Sequence, residues 1–414
     1  MLSRLRVSLA VAAVLLSIAF ASGLRAAEAD NTVRAELGKP LQAAQELIRQ
    51  HNYRDALAKI READAVTGKS LYETGVIEQM RGVAAAGAGD YPTAIRSFEA
   101  IIAQGRQSPS DQLKMIQALA GFAYQTKDYA KTISWAIRYL HDGGSDDQIR
   151  RLLAQAYFLT DDFSDAAKEL QTQIKVAEHS GQKIPEESLQ LLANCALKQN
   201  DNETYAATLR MLVASYPSKA YWAELIRRVR GRPGVADRLS LDFGRLEFAA
   251  GAVDTAAHYV DLTELSLQAG LPGEAKMVID RGFTVGALGG GSGSDVDRHN
   301  RLRVMATNAA AADSKALPIN EKEAVAAKDG NALVGNGLDY VGYGQAEKGI
   351  ALIEQGIQRG GLKHSDDAKL HLGIAYFAAG QREKAVQVWK TIEGSDGTAE
   401  LSRLWVLLAS RPST

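Results

Sequence analysis

Residues 370–390 read Leu370-His-Leu-Gly373-Ile-Ala-Tyr376-Phe-Ala-Ala-Gly380-Gln-Arg-Glu-Lys-Ala385-Val-Gln-Val-Trp389-Lys390. The small residue Gly373 is followed three on by Tyr376, twelve on by Ala385 and sixteen on by Trp389. On both sides of Gly380, apolar residues recur at steps of three and four, the period of a helix with one buried stripe. The Ala-Ala-Gly-Gln run between them stops one helix and starts another. The stretch predicts two antiparallel helices. Gly373 and Ala385 would be facing notches that let the backbones approach, with Tyr376 and Trp389 filling the space toward a neighbour.

The same spacing recurs in Gly82, Ala85, Ala94 and Phe98; in Ala154, Tyr157, Ala166 and Leu170; in Ala193, Ala196, Tyr205 and Leu209; and in Gly337, Tyr340, Gly349 and Ile353. Looser copies are Ala44, Leu47, Ala56, Ile60 and Ala120, Ala123, Thr132, Ala136. The third position of each copy falls at 56, 94, 132, 166 and 205, then at 349 and 385, so adjacent copies lie 34 to 39 residues apart. A lone helix hairpin leaves an apolar face uncovered and needs a neighbour, so the pairs stack. The fold class is all-α, an α-solenoid of stacked antiparallel helix pairs.

This pattern resembles the tetratricopeptide repeat (TPR), a helix pair of about 34 residues. The resemblance implies a right-handed superhelix whose first helices line a concave face that receives a peptide. Carried over by position, the groove-facing residues are Lys114, Gln117, Tyr124 and Gln125 in one unit. The next supplies Arg151, Gln155 and Phe158, and the one after it Gln190, Asn194 and Lys198. Amide side chains both donate and accept, which suits the main chain of an extended peptide. The family's carboxylate clamp is matched by Arg151 and Asn194, but Gln155, Glu187 and Leu191 stand where it wants Asn, Lys and Asn.

Around the repeats the chain divides by composition. Residues 30–217 form an N-terminal array. Residues 218–287 are degenerate: Tyr221 to Gly251 lacks the notch pair, and Ala275 and Ile279 recover part of it. Residues 288–330 begin with the Gly/Ser linker Leu288-Gly-Gly-Gly-Ser-Gly-Ser294 and continue as an Ala-rich helical segment broken at Pro318. This segment reads either as a joint between two arrays or as a loop inside one superhelix. Residues 331–414 hold a C-terminal pair, with Thr398 to Ser410 as a helix shielding the last repeat from water.

Residues 1–29 read as a signal peptide: Arg4 and Arg6, an apolar run from Val7 to Phe20, then small residues permitting cleavage after Ala29 or Ala21. The alternative, an uncleaved helical anchor, is disfavoured because the run is shorter than the ~20 residues of a spanning helix, and no later stretch is long and apolar enough to span a bilayer after cleavage. The protein is expected to be exported, to the periplasm if the source is Gram-negative.

Little in the chain points to chemistry. The 48 basic and 49 acidic residues leave a net charge of −1, so there is no basic field for nucleic acid. The single cysteine, Cys195, excludes an internal disulfide and a thiolate zinc site. The glycine run lacks the Gly-Lys-Ser/Thr of a phosphate loop, and no His-Glu-x-x-His occurs. The closest constellation, His364, Asp367 and His371, reads as a solvated helix start with Asp366 or Ser365 as N-cap. Arg227, Arg228, Arg230 and Arg232 form a possible patch for an anionic partner, or a helix C-terminus where cations are favoured anyway. The expectation is a non-enzymatic scaffold without cofactor or metal that binds a protein or peptide of the cell envelope. The alternatives are an accessory scaffold for polysaccharide export or secretion, and an envelope-polymer hydrolase or transferase, which would need a non-helical catalytic module.

Overall fold

The computed structural model describes residues 32–411, so the signal peptide expected at 1–29 lies outside the described residues. Among these there are twenty α-helices, one short 3-10 turn and no strand. The chain divides into two compact units, one ending at Tyr205 and the other beginning at Ala206.

The first unit contains α1 (Ala35–Arg49), α2 (Tyr53–Asp64), α3 (Leu71–Gly87), α4 (Tyr91–Gln104), α5 (Pro109–Gln125), α6 (Tyr129–His141), α7 (Asp147–Leu159), α8 (Phe163–Ser180) and α9 (Glu186–Lys198). The division falls within α10 (Asn202–Ser215). In the second unit are α11 (Lys219–Arg230), α12 (Ser240–Ala249), α13 (Ala256–Gln268), α14 (Pro272–Thr284), α15 (Gly293–Ala326), α16 (Asn331–Gly342), α17 (Ala346–Arg359), α18 (Ser365–Ala378), α19 (Arg382–Trp389) and α20 (Thr398–Ala409).

One turn geometry repeats between the two helices of a pair. Gly89, Lys127, Asp161, Gly344 and Gly380 adopt left-handed φ. The next N–H then returns to a carbonyl five residues back: Asp90 to Ala85 at 2.8 Å, Asp162 to Tyr157 at 2.9 Å, Gln381 to Tyr376 at 2.9 Å. This return bond satisfies a helix-end carbonyl that would otherwise be orphaned. Asp90, Asp128 and Asp162 then cap the second helix with their side chains.

The notches point inward as the spacing requires. Ala44, Ala56, Gly82, Ala94, Ala120, Thr132, Ala154, Ala166, Gly373 and Ala385 are all buried. A Cβ on Gly373 would run into the Trp389 ring. Between α16 and α17 the contact is backbone on backbone: a Cβ on Gly337 would lie 2.7 Å from the Gly349 oxygen, and one on Gly349 2.5 Å from the Gly337 oxygen. Successive cores bridge neighbouring pairs, with Ile77 and Met80 of α3 packed on Leu37 and Ile60, and Phe98 of α4 packed with Leu119 and Phe122 of α5.

The degenerate region holds a copy that composition disguised. Thr263, Ser266, Ala275 and Ile279 keep the full spacing and are buried. Hydroxyls stand at the two α13 positions, donating to the carbonyls of Tyr259 and Leu262 at 2.7 and 2.9 Å.

The 288–330 segment differs from its expectation. Leu288 is buried in a core with Leu302 and Ala306 of α15, so the glycines do not form a free tether. Ser292 and Asp295 make a capping box that starts α15, which runs 34 residues without a break at Pro318. Proline removes one N–H and crowds one carbonyl; at this exposed position, with buried Leu317 and Ala324 holding the helix on both sides, that is tolerated.

The second unit closes on itself. Helix α20 packs on α18 and α19, and also on α11 and α12, the first two helices that lie wholly in the unit. It therefore does more than shield a last repeat. Ala236 N–H donates to the Asp396 carbonyl at 2.9 Å, and Val235 lies against Gly397.

Candidate functional site

In the first unit, α5, α7 and α9 lie side by side. On α5, Lys114 pairs with Asp111 at 3.2 Å, and Gln117 donates to Asp146, the N-cap of α7, at 2.6 Å. Tyr124 meets Tyr129 edge-on and Gln125 is exposed. On α7, Phe158 packs edge-on against Phe163 at 5.3 Å, and Lys198 of α9 lies over that same Phe163 ring at 5.8 Å. Tyr124 and Phe158, expected to offer apolar contact, are half-buried, covering the turns within their own pairs. Gln190 of α9 donates to Glu186 at 3.3 Å. Arg151, Gln155 and Asn194 have no hydrogen bond or ion pair among the described residues. Cys195 faces the core, and burial pushes its thiol up to about 11.

The four arginines do not act as one patch. Arg227 and Arg228 both bind Glu224, at 2.5 and 2.9 Å, and Arg230 is exposed. Arg232 lines a small cavity of about 250 Å³ with Arg210, Arg403 and Glu400. Burial, then Arg232 and Arg403, hold the Arg210 guanidinium below its ordinary range.

The larger feature is a cleft of about 770 Å³ in the second unit, walled by α12, α15, α16, α18 and the α17–α18 connection. One wall is a buried ionic network. Arg245 donates to Glu274 at 2.9 and 2.7 Å and to Asp242 at 2.6 Å, and His371 meets Asp242 at 3.0 Å. Burial alone would raise the Asp242 carboxyl, but His371 and Arg245 override it and hold it well below the carboxylate range. Beside it, Arg238 forks onto Asp367 at 2.8 and 2.9 Å and reaches Asp396.

His364, Asp367 and His371 thus come together on this cleft. The capping expected there is overturned. Residue 364 is itself the N-cap and makes no side-chain cap bond, Ser365 begins the helix, Asp366 binds Lys369, and Asp367 is spent on Arg238.

Asp313 of α15 and Asn336 and Asp339 of α16 form the opposite wall. Tyr343 hydroxyl donates to Asp313 at 2.9 Å, whereas Asn336 Oδ1 and Asp339 Oδ1 are buried without a partner. Burial, with Asp313 and Glu274 adding to it, pushes the Asp339 carboxyl up to about 7. Sequence reasoning missed this wall because neither residue stands in a recognised motif. The only local signal was two polar residues, one turn apart, on the buried stripe of a helix.

Stacked helix pairs with matched notches define an α-helical repeat protein. The tetratricopeptide repeat profile matches residues 187–219 and 367–393, which are the α9–α10 and α18–α19 pairs. No curated protein sequence matches the chain. Among solved structures, a tetratricopeptide repeat protein from Parabacteroides merdae is 8% identical, over 89% of this chain and 98% of that one, at a TM-score of 0.34. The TPR2AB domain of yeast Sti1, in its pHSP90 complex, is 12% identical over 73% and 100%, at 0.25. Yeast Tom70 is 10% identical over 90% and 95%, also at 0.25. No helix among the described residues is long and apolar enough to cross a membrane.

Proposed function

We propose that this chain is a non-enzymatic interaction protein that holds an extended peptide or protein segment on the α5–α7–α9 face of its first unit. Tetratricopeptide repeats generally serve as protein-interaction scaffolds, and a fold supports no more than that on its own. The observation that carries the reading is the unspent polarity of Arg151, Gln155 and Asn194 on neighbouring helices. A guanidinium and two amides on two adjacent helices offer donors and acceptors to a partner's main chain. Lys114, Gln117 and Gln190 form the flanks of this face. We place the protein in the cell envelope, reached through the leader at 1–29, and in the periplasm of a Gram-negative source. The hydrolase or transferase reading needed a strand-bearing module, and the described residues hold none.

A photo-crosslinking residue at 155 or 194, in cells, tests this. A discrete captured protein, lost when Arg151 is changed to Ala, is the expected result. Equal capture from position 172 on the outer helix α8 would refute the face. An N-terminus beginning at Met1 in the protein isolated from cells would refute the leader.

A further inference from the structure

Two acceptors buried in the second unit have nothing to accept from. Asn336 Oδ1 and Asp339 Oδ1 lie one turn apart on α16, in residues 9% and 6% exposed, and both residues line the 770 Å³ cleft. A buried carboxylate without a donor is expensive to keep. The two arginines that line the cleft are already engaged. Arg245 is taken up by Asp242 and Glu274, and Arg238 by Asp367 and Asp396. What Asp339 meets instead, at hydrogen-bond range, is a second carboxyl group, Asp313, so that at most one shared proton relieves the pair, and nothing cationic among the described residues offsets it.

The missing component is therefore a positive group with several hydrogens to give. An ammonium supplies three donors and one charge at a single point. The cleft is of the size that holds small organic molecules. Farther along α15, Glu323 also lines it without a side-chain partner, about 15 Å from Asp313 by helix rise. A hard metal ion fits less well, since no group of three or more His, Cys, Asp or Glu residues among those described is placed to hold one.

We propose that the Asn336–Asp339–Asp313 wall binds the primary ammonium group of a small organic amine lodged in the cleft. The bound ammonium donates to the Asn336 and Asp339 side chains where these residues line the cleft and neutralises the carboxylate pair. A linear polyamine would place a second ammonium toward Glu323, whereas an amino acid would place its carboxylate toward Lys363. This site is independent of the peptide face of the first unit.

Titration calorimetry on the full chain at pH 8, with spermidine and with free lysine as probes, tests the proposal. Saturable binding of either probe supports it, and the stronger of the two identifies the source. Asp339→Asn keeps the shape and removes the charge, and should weaken binding at least about tenfold, as loss of one charged hydrogen bond implies. Glu62→Gln on α2 makes the same change in net charge and should leave affinity unaltered. Retained folding of both variants is checked by circular dichroism. Equal binding by Asp339→Asn, no binding by either probe, or displacement of the amine by calcium at equal concentration would each overturn the assignment.

Discussion

Arg238 and Asp367, 129 residues apart in the chain, are joined by two parallel hydrogen bonds of 2.8 and 2.9 Å, and the same guanidinium reaches Asp396. The pair ties the 3-10 turn before α12 to the start of α18, and Asp396 adds the segment leading into α20. The carboxylates in turn hold Arg238 well above its ordinary range, Asp367 foremost. Removing the guanidinium leaves two carboxylates facing each other. Arg238→Ala should lower the stability of the second unit by about 1–3 kcal/mol. Tryptophan fluorescence in urea reads this directly, because Trp222, Trp389 and Trp405 are all buried there. Arg96→Ala, which loses one exposed bond to Thr93, should stay within about 0.5 kcal/mol of the parent.

The glycine seam between α16 and α17 makes a paired prediction. Gly337→Ala places a methyl 2.7 Å from a backbone oxygen that cannot rotate away, so the helices must separate. Overpacking of this kind costs about 1–3 kcal/mol. Gly335→Ala, on the same helix with nothing within 4 Å, should instead stabilise by up to about 1 kcal/mol through helix propensity. Thermal melts of the two variants should move in opposite directions.

Asp339 should invert the usual pH dependence of a carboxylate. Its folded value of about 7 lies above the ordinary 3.8, so between these values the folded state binds a proton that the unfolded state does not. Stability from this group is greatest below the lower value and is lost as pH rises through about 7. The groups facing it are Asp313 on α15, Glu274 on α14 and, through Asp313, Tyr343 at the C-cap of its own helix. All are acidic or neutral, so none reverses the sign. Asp339→Asn should remove the decline between pH 5 and pH 8, as measured by urea midpoints. Amine binding should run the opposite way in the parent, strengthening as pH rises through about 7.

Cys195 is fully buried, and its thiol titrates near 11. Thiolate is the reactive form, so modification by a disulfide reagent at pH 8 should wait for opening of the first unit. Its rate, followed against urea, should track loss of helix in that unit. Rapid stoichiometric labelling of the native chain would contradict the burial of α9.

Much of the fold was legible because a notch must recur wherever two helices touch. Gly82, Ala154 and Gly373 announce their pairs through local spacing alone. Thr263 and Ser266 kept that spacing but escaped notice, since a hydroxyl bonded back to its own helix packs like a small apolar group. Continuity of α15 through Pro318 depends on flanking contacts that no local rule contains. The cleft was least legible. His364, Asp367 and His371 drew attention by their closeness in sequence, but Asp242 and Arg238, which give Asp367 and His371 their partners, lie in the segment with the weakest periodicity. Arg151, Gln155 and Asn194 were picked by register, as were Tyr124 and Phe158, but register does not say that the two aromatics also pack on Tyr129 and Phe163 of their own pairs.

The return of α20 to α11 and α12 changes how the second unit must come apart. In an open stack of hairpins the outermost pair can melt while the rest holds, so amide exchange fades toward the extremities. A hoop has no outermost pair. Its amides, from α11 round to α20, should exchange at a common rate set by a single rupture, with α20 as well protected as the helices in the middle.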